Sequence, residues 1–282
     1  MRCAPMALEP ISPIDPPAPY LGGKSGLAAV ITPLLDRTDH HTYAEPFVGL
    51  GGVFFRRSRR PKLEVVNDRG REVATFFRIL QRHYPQFLET LRFQVTTRAE
   101  FERLKACDPA TLTDLERAAR FLYLQRTAFG GKPTGQTFGV APDRGARFDL
   151  TRLTPMLEDV HSRLSGVVIE CLDFADFIAR YDGPGTLFYC DPPYDGSEGF
   201  YGKGLFGPDD FERLAVALGA IEGRFVLSIN DTPRMRAIFS GHDVRSVETR
   251  YSVAQKRDGA LRDAELLITK GVDLAPPQGA LL

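Results

Sequence analysis

No apolar run in this sequence approaches the ~18 to 20 residues that a membrane-spanning helix needs. The N-terminus also lacks the basic-then-apolar pattern of a secretory signal. A cytoplasmic location with no membrane partner is therefore expected. Cysteine is scarce: Cys3, Cys107, Cys171 and Cys190 show no CxxC spacing and no His/Cys cluster accompanies them. That pattern argues against a zinc site, so reduced packing thiols and no metal are the expectation. Charge imbalance is missing too, because 36 basic residues balance 36 acidic ones. A neutral chain is a poor match for a protein coated in nucleic acid over its whole surface, while a local basic face stays compatible. No internal repeat is evident.

What is present is alternation of strand and helix signals. Apolar strand candidates lie at 42–47 (TYAEPF), 63–68 (LEVVND), 167–171 (VVIEC), 186–191 (TLFYCD), 224–231 (RFVLSIND), 244–252 (VRSVETRYS) and 264–270 (AELLITK). Helical periodicity falls at 24–36, 70–83, 114–125, 151–164, 208–221 and 233–239. Strands separated by helices imply βαβ units, hence an α/β fold with a mostly parallel, doubly wound sheet. A chain of 282 residues holds one such domain with a smaller insertion. Residues 1–19, with six prolines, read as an extended leader that docks late or stays mobile. Between Tyr84 and the strand at 167 no convincing strand occurs. That is too long for one crossover helix and predicts an inserted helical lobe.

Three stretches carry chemistry. In EPFVGLGG, 45–52, a strand runs into Gly49, Gly51 and Gly52 before a helix expected at about Val53, which lets a ligand approach the backbone at the strand's carboxyl end. The spacing meets GxGxxG only in part, which weakens a nicotinamide-dependent reading. Asp68, about twenty residues further on at the end of the next strand, is placed to accept hydrogen bonds from two ribose hydroxyls; the alternative is a turn and helix cap. The third stretch is CDPPYDG, 190–196. Prolines fix φ and lack a donor, so the pair ends the strand in a rigid turn. An exocyclic adenine amine is a poor nucleophile because its lone pair is delocalised into the ring. Asp191 and the carbonyl of Pro192, held in its plane, can accept both amine protons, while Tyr194 offers a face for an extruded base.

The set of DPPY at 191–194, EPFVGLGG at 45–52 and YLGGK at 20–24 resembles the Dam-like, D12-class DNA adenine-N6 methyltransferases of the alpha group, which use S-adenosylmethionine. The likeness runs from Tyr20 to about Lys270 and takes in FLYLQR, RFVLSIND and AELLITK. It implies a Rossmann-like, S-adenosylmethionine-dependent methyltransferase fold with a mixed seven-stranded sheet. The catalytic domain would span 20–84 and 165–282, with a helical DNA-recognition lobe inserted at 85–164. The resemblance further implies that Asp191, Pro192, Pro193 and Tyr194 are catalytic. Tyr20 and Lys24 would lie at the cofactor's methionine end. Glu45, Pro46, Phe47 and Gly49 would line its pocket, Asp68 would hold the ribose, and Asp173 with Phe174 would meet its adenine. Read without the family, Asp173 is a helix N-cap and Phe174 a core residue.

Double-stranded DNA is the expected partner, and the working state a monomer or weak dimer, with any cognate restriction nuclease left open. Residues 115–152 carry seven basic and three acidic side chains, and Arg126, Lys132, Arg144 and Arg147 are the candidate DNA contacts, with Phe200 beside the target base. A second basic cluster, Arg56 to Lys62, either touches phosphate or caps the helix expected from Val53. Family members commonly carry Asn-Arg and Phe-Asn-Gly in the lobe; here Gln125-Arg126 and Phe129-Gly130-Gly131 stand instead. These departures put GATC specificity in question and fit better with the phage or mobile-element branch. Competing readings are methylation of RNA, a protein glutamine or a small amine, and a silent DNA-binding relic.

Overall fold

The computed structural model describes residues 8–20, 25–131, 134–140, 145–202, 204–248 and 264–274. Its first segment holds β1 (Glu9–Pro10), α1 (Ser25–Arg37), β2 (Thr42–Glu45), β3 (Arg59–Arg60) and β4 (Leu63–Asn67). A helical stretch follows: α2 (Arg71–Arg82), α3 (Tyr84–Leu91), α4 (Arg98–Ala106), α5 (Asp114–Thr127) and α6 (Leu150–Arg163). Strands resume with β5 (Val168–Glu170), α7 (Phe174–Tyr181), β6 (Thr186–Cys190), α8 (Asp210–Ala220), β7 (Arg224–Asn230), α9 (Pro233–Ile238), β8 (Asp243–Glu248) and β9 (Ala264–Lys270).

Seven strands form one sheet in the order β5-β4-β2-β6-β7-β9-β8, and β1 pairs separately with β3. The run from β5 to β7 is parallel, whereas β9 is antiparallel to both β7 and β8. Each sheet strand falls on a strand candidate; the inner strands β2, β4, β6, β7 and β9 are buried almost throughout and read as near-continuous apolar runs, whereas the edge strands β5 and β8 are partly exposed. In β6, Leu187 and Tyr189 enter one core and Phe188 and Cys190 the other, all fully buried. The helices α3, α4 and α7 span 8, 9 and 8 residues and are absent from the periodic stretches; over so few residues an amphipathic stripe is weakly marked, although the six-residue α9 was read.

No sheet strand lies between α2 and β5 among the described residues. The helices there start as their caps dictate: Thr113 and Glu116 form a capping box at α5, and Asp149 accepts from the Thr151 amide at α6. Their apolar side chains, including Phe87, Phe101, Leu122 and Leu153, join the same hydrophobic cluster as Tyr43 of β2 and Leu187 of β6.

One expectation changes, and of the two outcomes left open for the leader the docked one is seen over its described residues. The helix expected from Val53 is a single 3-10 turn, Phe54–Arg56. It stops because Arg57 turns to extended backbone and carries its side chain into the interior. The leader is docked over residues 8–19: Ile11 and Ile14 donate their amides to the Ser58 and Phe55 carbonyls at 2.9 and 2.8 Å, and Ala18 is buried.

Beneath the sheet lies a buried charge cluster. Glu64 of β4 accepts from Arg57 at 3.0 Å and, through two bonds at 2.6 and 2.7 Å, from Arg163 of α6. Arg57 stacks 3.8 Å from the centre of the Tyr43 ring and Arg163 4.1 Å from that of Phe54. Arg57 also donates to His40 Nε2 at 3.1 Å. Burial, then the charge of Arg57, lowers the His40 pKa to about 4, so the ring accepts as a neutral imidazole.

Candidate active site

From β2 the chain builds outward through β4 and β5, then returns to add β6 and β7 on the other side. Where strand order reverses, neighbouring connections leave in opposite directions and open a crevice at the strands' carboxyl ends. A cavity of about 480 Å3 occupies this crevice between β2 and β6. Glu45 ends β2 at its base, the glycine loop forms one side, Asp68 stands at the end of β4 and Asp191 at the end of β6. Gly49 sits at φ +51°, and a Cβ there would come 3.1 Å from the Tyr20 ring. A side chain would be strained and crowded at that position.

The floor is tied together by polar bonds that leave little freedom. Asp68 accepts from the Gly49 amide at 3.0 Å and the Gly70 amide at 2.7 Å. Burial nevertheless pushes its pKa up to about 6, against those two bonds. Asn67 donates to the Pro46 and Leu172 carbonyls and accepts from the Leu172 amide, joining the glycine loop to the loop before α7. Glu45 is buried and accepts from the Tyr43 hydroxyl at 2.9 Å. Desolvation, reinforced by the charge of Asp191, raises its pKa well above the usual carboxylate range.

Three aromatic rings make the upper wall. Phe47, Phe174 and Phe206 stand with centroids 5.5 to 5.8 Å apart. Arg69 donates to the Leu205 carbonyl at 3.2 Å, holding the loop that carries Phe206. Opposite, the turn after β6 starts with Asp191, followed by buried Pro192 and Pro193 and half-buried Tyr194. Ser228 donates to Asp191 Oδ1 at 3.3 Å and shares a 2.8 Å hydrogen bond with the Tyr189 hydroxyl.

Of the residues singled out from sequence, Tyr20, Glu45, Pro46, Phe47, Gly49, Asp68, Phe174, Asp191 and Pro193 line this one cavity. Asp173 does not. It caps α7 through the Ala175 amide and pairs with Arg69 at 3.1 Å and Arg213 at 2.9 Å. Arg126, expected on DNA, stands in the cavity wall and donates to the carbonyls of Arg147 and Pro17, at 3.1 and 2.9 Å. Arg147 donates to the Ala128 carbonyl at 3.1 Å. Two others of the basic count turn inward as well: Arg117 pairs with Glu72, and Arg120 donates to the Leu104 carbonyl. Phe200 lies in a 3-10 turn, Glu198–Tyr201. Lys24, Lys132 and Arg144 lie outside the described residues. Among the described residues no cluster of His, Cys, Asp or Glu is placed to hold a metal, and no helix is long and apolar enough to cross a membrane.

Sequence reasoning missed Asn67, Phe206, Ser228 and Asn230. A polar residue inside the apolar run RFVLSIND was the available signal for Ser228. Phe206 carried none beyond being an aromatic in a loop.

A mixed sheet, parallel from β5 to β7 with its crevice at the switch point, a glycine loop, an acid at the next strand end and DPPY across the gap define a Rossmann-like methyltransferase. Residues 20–256 match the D12 class N6 adenine-specific DNA methyltransferases, and the chain belongs to that family. A DNA N-6-adenine-methyltransferase of Escherichia phage P1 is 29% identical over 258 residues, which cover 85% of this chain and 33% of that protein. This chain thus spans about a third of the phage protein's length. The type II methyltransferase M1.LlaDCHI of Lactococcus lactis subsp. cremoris is 22% identical over 268 residues, 89% of this chain and 93% of that one. A solved precorrin 8w decarboxylase from Methanobacterium thermoautotrophicum covers 87% of this chain and 89% of its own at 12% identity, with a TM-score of 0.38.

Proposed function

We propose that this protein transfers a methyl group from S-adenosylmethionine to the N6 amine of adenine in double-stranded DNA. The observation that carries the reading is that Asp191 of the DPPY turn opens on the same cavity as the glycine loop and Asp68. The donor set suits S-adenosylmethionine. Glu45 offers a carboxyl group to its ammonium, Asp68 a carboxylate to the ribose, and Phe47, Phe174 and Phe206 flat faces to the adenine. The bound cofactor supplies a methyl group already activated on a sulfonium.

The protein's part is alignment and polarisation. Asp191 and the Pro192 carbonyl accept hydrogen bonds from the two amine N–H groups, which draws the nitrogen lone pair out of conjugation and toward the methyl group. Tyr194 stacks on the extruded base. Water can take the proton after transfer, so no side chain needs to act as a strong base.

Methyl transfer from labelled S-adenosylmethionine to unmethylated genomic DNA, followed by digestion to nucleosides, tests the reading. Label in N6-methyladenine is expected. Label in RNA or protein, with DNA unlabelled, would move the substrate to one of the competing classes.

Two binding predictions follow from the pocket. With a pKa of about 6, Asp68 is ionised at neutral pH and gains a proton as pH falls through that value. A protonated carboxyl accepts ribose hydroxyls poorly, so S-adenosylmethionine affinity should fall below pH 6, approaching about tenfold per pH unit. Calorimetry across that range checks it, and Asp68→Asn should bind weakly with the slope lost. Phe206→Ala should raise the Kd by about tenfold through loss of one ring face, while Val216→Ala, on an exposed face of α8, should leave it unchanged.

A further inference from the structure

The turn that carries Asp191 has a mechanical problem. Ladder bonding between β6 and β7 stops at the pair Cys190–Leu227, and Pro192 and Pro193 have no N–H with which to continue it. A turn left hanging there would swing the carboxylate and the Pro192 carbonyl independently. The next strand supplies a substitute. In β7 alternate residues share a face, and Ser228 and Asn230 lie on the face that Tyr189 shares in the neighbouring strand. Ser228 reaches the side chain of Asp191 at 3.3 Å. Asn230 accepts from the Asp195 amide at 2.9 Å and donates to the Asp195 carbonyl at 3.1 Å. Its side-chain amide therefore does for Asp195 what a strand neighbour's backbone would do. Two residues on, Thr232 donates to Asp195 Oδ2 at 2.9 Å while capping α9 through the Met235 amide at 3.2 Å.

We infer that Ser228, Asn230 and Thr232 are positioning residues for methyl transfer: a polar ladder, spaced two residues apart, that grips the catalytic turn at both ends. The inference rests on the reading of 191–194 as the catalytic turn. The ladder touches neither the glycine loop nor Asp68, so its loss acts on turnover and spares cofactor binding. Misplacing reacting groups by about 1 Å costs on the order of 100-fold in rate.

The test measures kcat on unmethylated plasmid DNA, S-adenosylmethionine Kd by calorimetry, the melting temperature, and amide exchange of the peptide spanning 194–197. Asn230→Ala should lose about 100-fold in kcat with Kd within about twofold, and exchange at 194–197 should accelerate. Ser228→Ala should lose a smaller factor that Ser228→Thr restores by returning the hydroxyl. A kcat for Asn230→Ala within about threefold of wild type would overturn the inference. So would equal losses in kcat and cofactor affinity together with a lowered melting temperature, which would make Asn230 a folding residue only. Asp191→Ala, run in parallel, separates the two failures. If it stays active the turn is not catalytic, and if it is inactive while Asn230→Ala is normal, the ladder alone is refuted.

Discussion

Asp191→Ala is expected to lower kcat by about 1,000-fold while S-adenosylmethionine still binds. The size follows from the number of acceptors. On the proposed reading the carboxylate and the Pro192 carbonyl each accept one amine N–H, and losing one leaves that nitrogen conjugated. The side chain is half-buried at the rim of the cavity, so truncation leaves the core packing intact. Asp191→Asn sharpens the case. It retains the shape and one carbonyl acceptor but loses the charge, and its activity should fall between those of wild type and the alanine variant. Single-turnover transfer to DNA with saturating cofactor separates this from a binding defect. Near-wild-type turnover in either variant would remove Asp191 from the chemistry.

The second large effect lies away from the cavity. Glu64→Leu should cost about 3 to 5 kcal/mol, because it strands the buried Arg163 guanidinium and takes from Arg57 its nearer carboxylate, leaving Arg57 with Asp36 at 3.5 Å and His40. For a chain of this size that is a fall in Tm of roughly 6 to 20 °C. Both arginine side chains lie in the interior, at 0% and 5% exposure, so water cannot replace the carboxylate. Replacing all three charges at once, with Met at 57 and 163 and Leu at 64, should recover most of the loss. Differential scanning calorimetry checks both. A single variant melting within about 2 °C of wild type would show that the cluster rehydrates freely.

Much of the sheet was legible because its inner strands are buried on both faces, which writes them as nearly unbroken apolar runs. DPPY was legible for a different reason, since two prolines after a strand admit few local structures. Charge could not be read the same way. Counting basic residues between 115 and 152 says nothing about where a guanidinium points, and Arg117, Arg120, Arg126 and Arg147 are all occupied by carboxylates or backbone carbonyls. Asp173 shows the same limit. A family role and a cap both fit the sequence, and only the positions of Arg69 and Arg213 show what the carboxylate meets. Strand order is beyond periodicity altogether, because placing β9 inside the sheet depends on pairings between distant segments.

That placement governs how the molecule comes into being. Among the described residues β8 pairs within the sheet with β9 alone, and β9 is also what covers the far side of β7. A polypeptide emerging from the ribosome therefore exposes β7 as a raw edge, and β8 as a strand without a seat, until residues 264–270 have been made. Because β7 bears Ser228 and Asn230, the proposed grip on the turn after β6 should be weak until β9 covers β7. Competence should arrive late and all at once in synthesis, and a nascent chain stalled before β9 should be open to edge-to-edge association and to proteolysis.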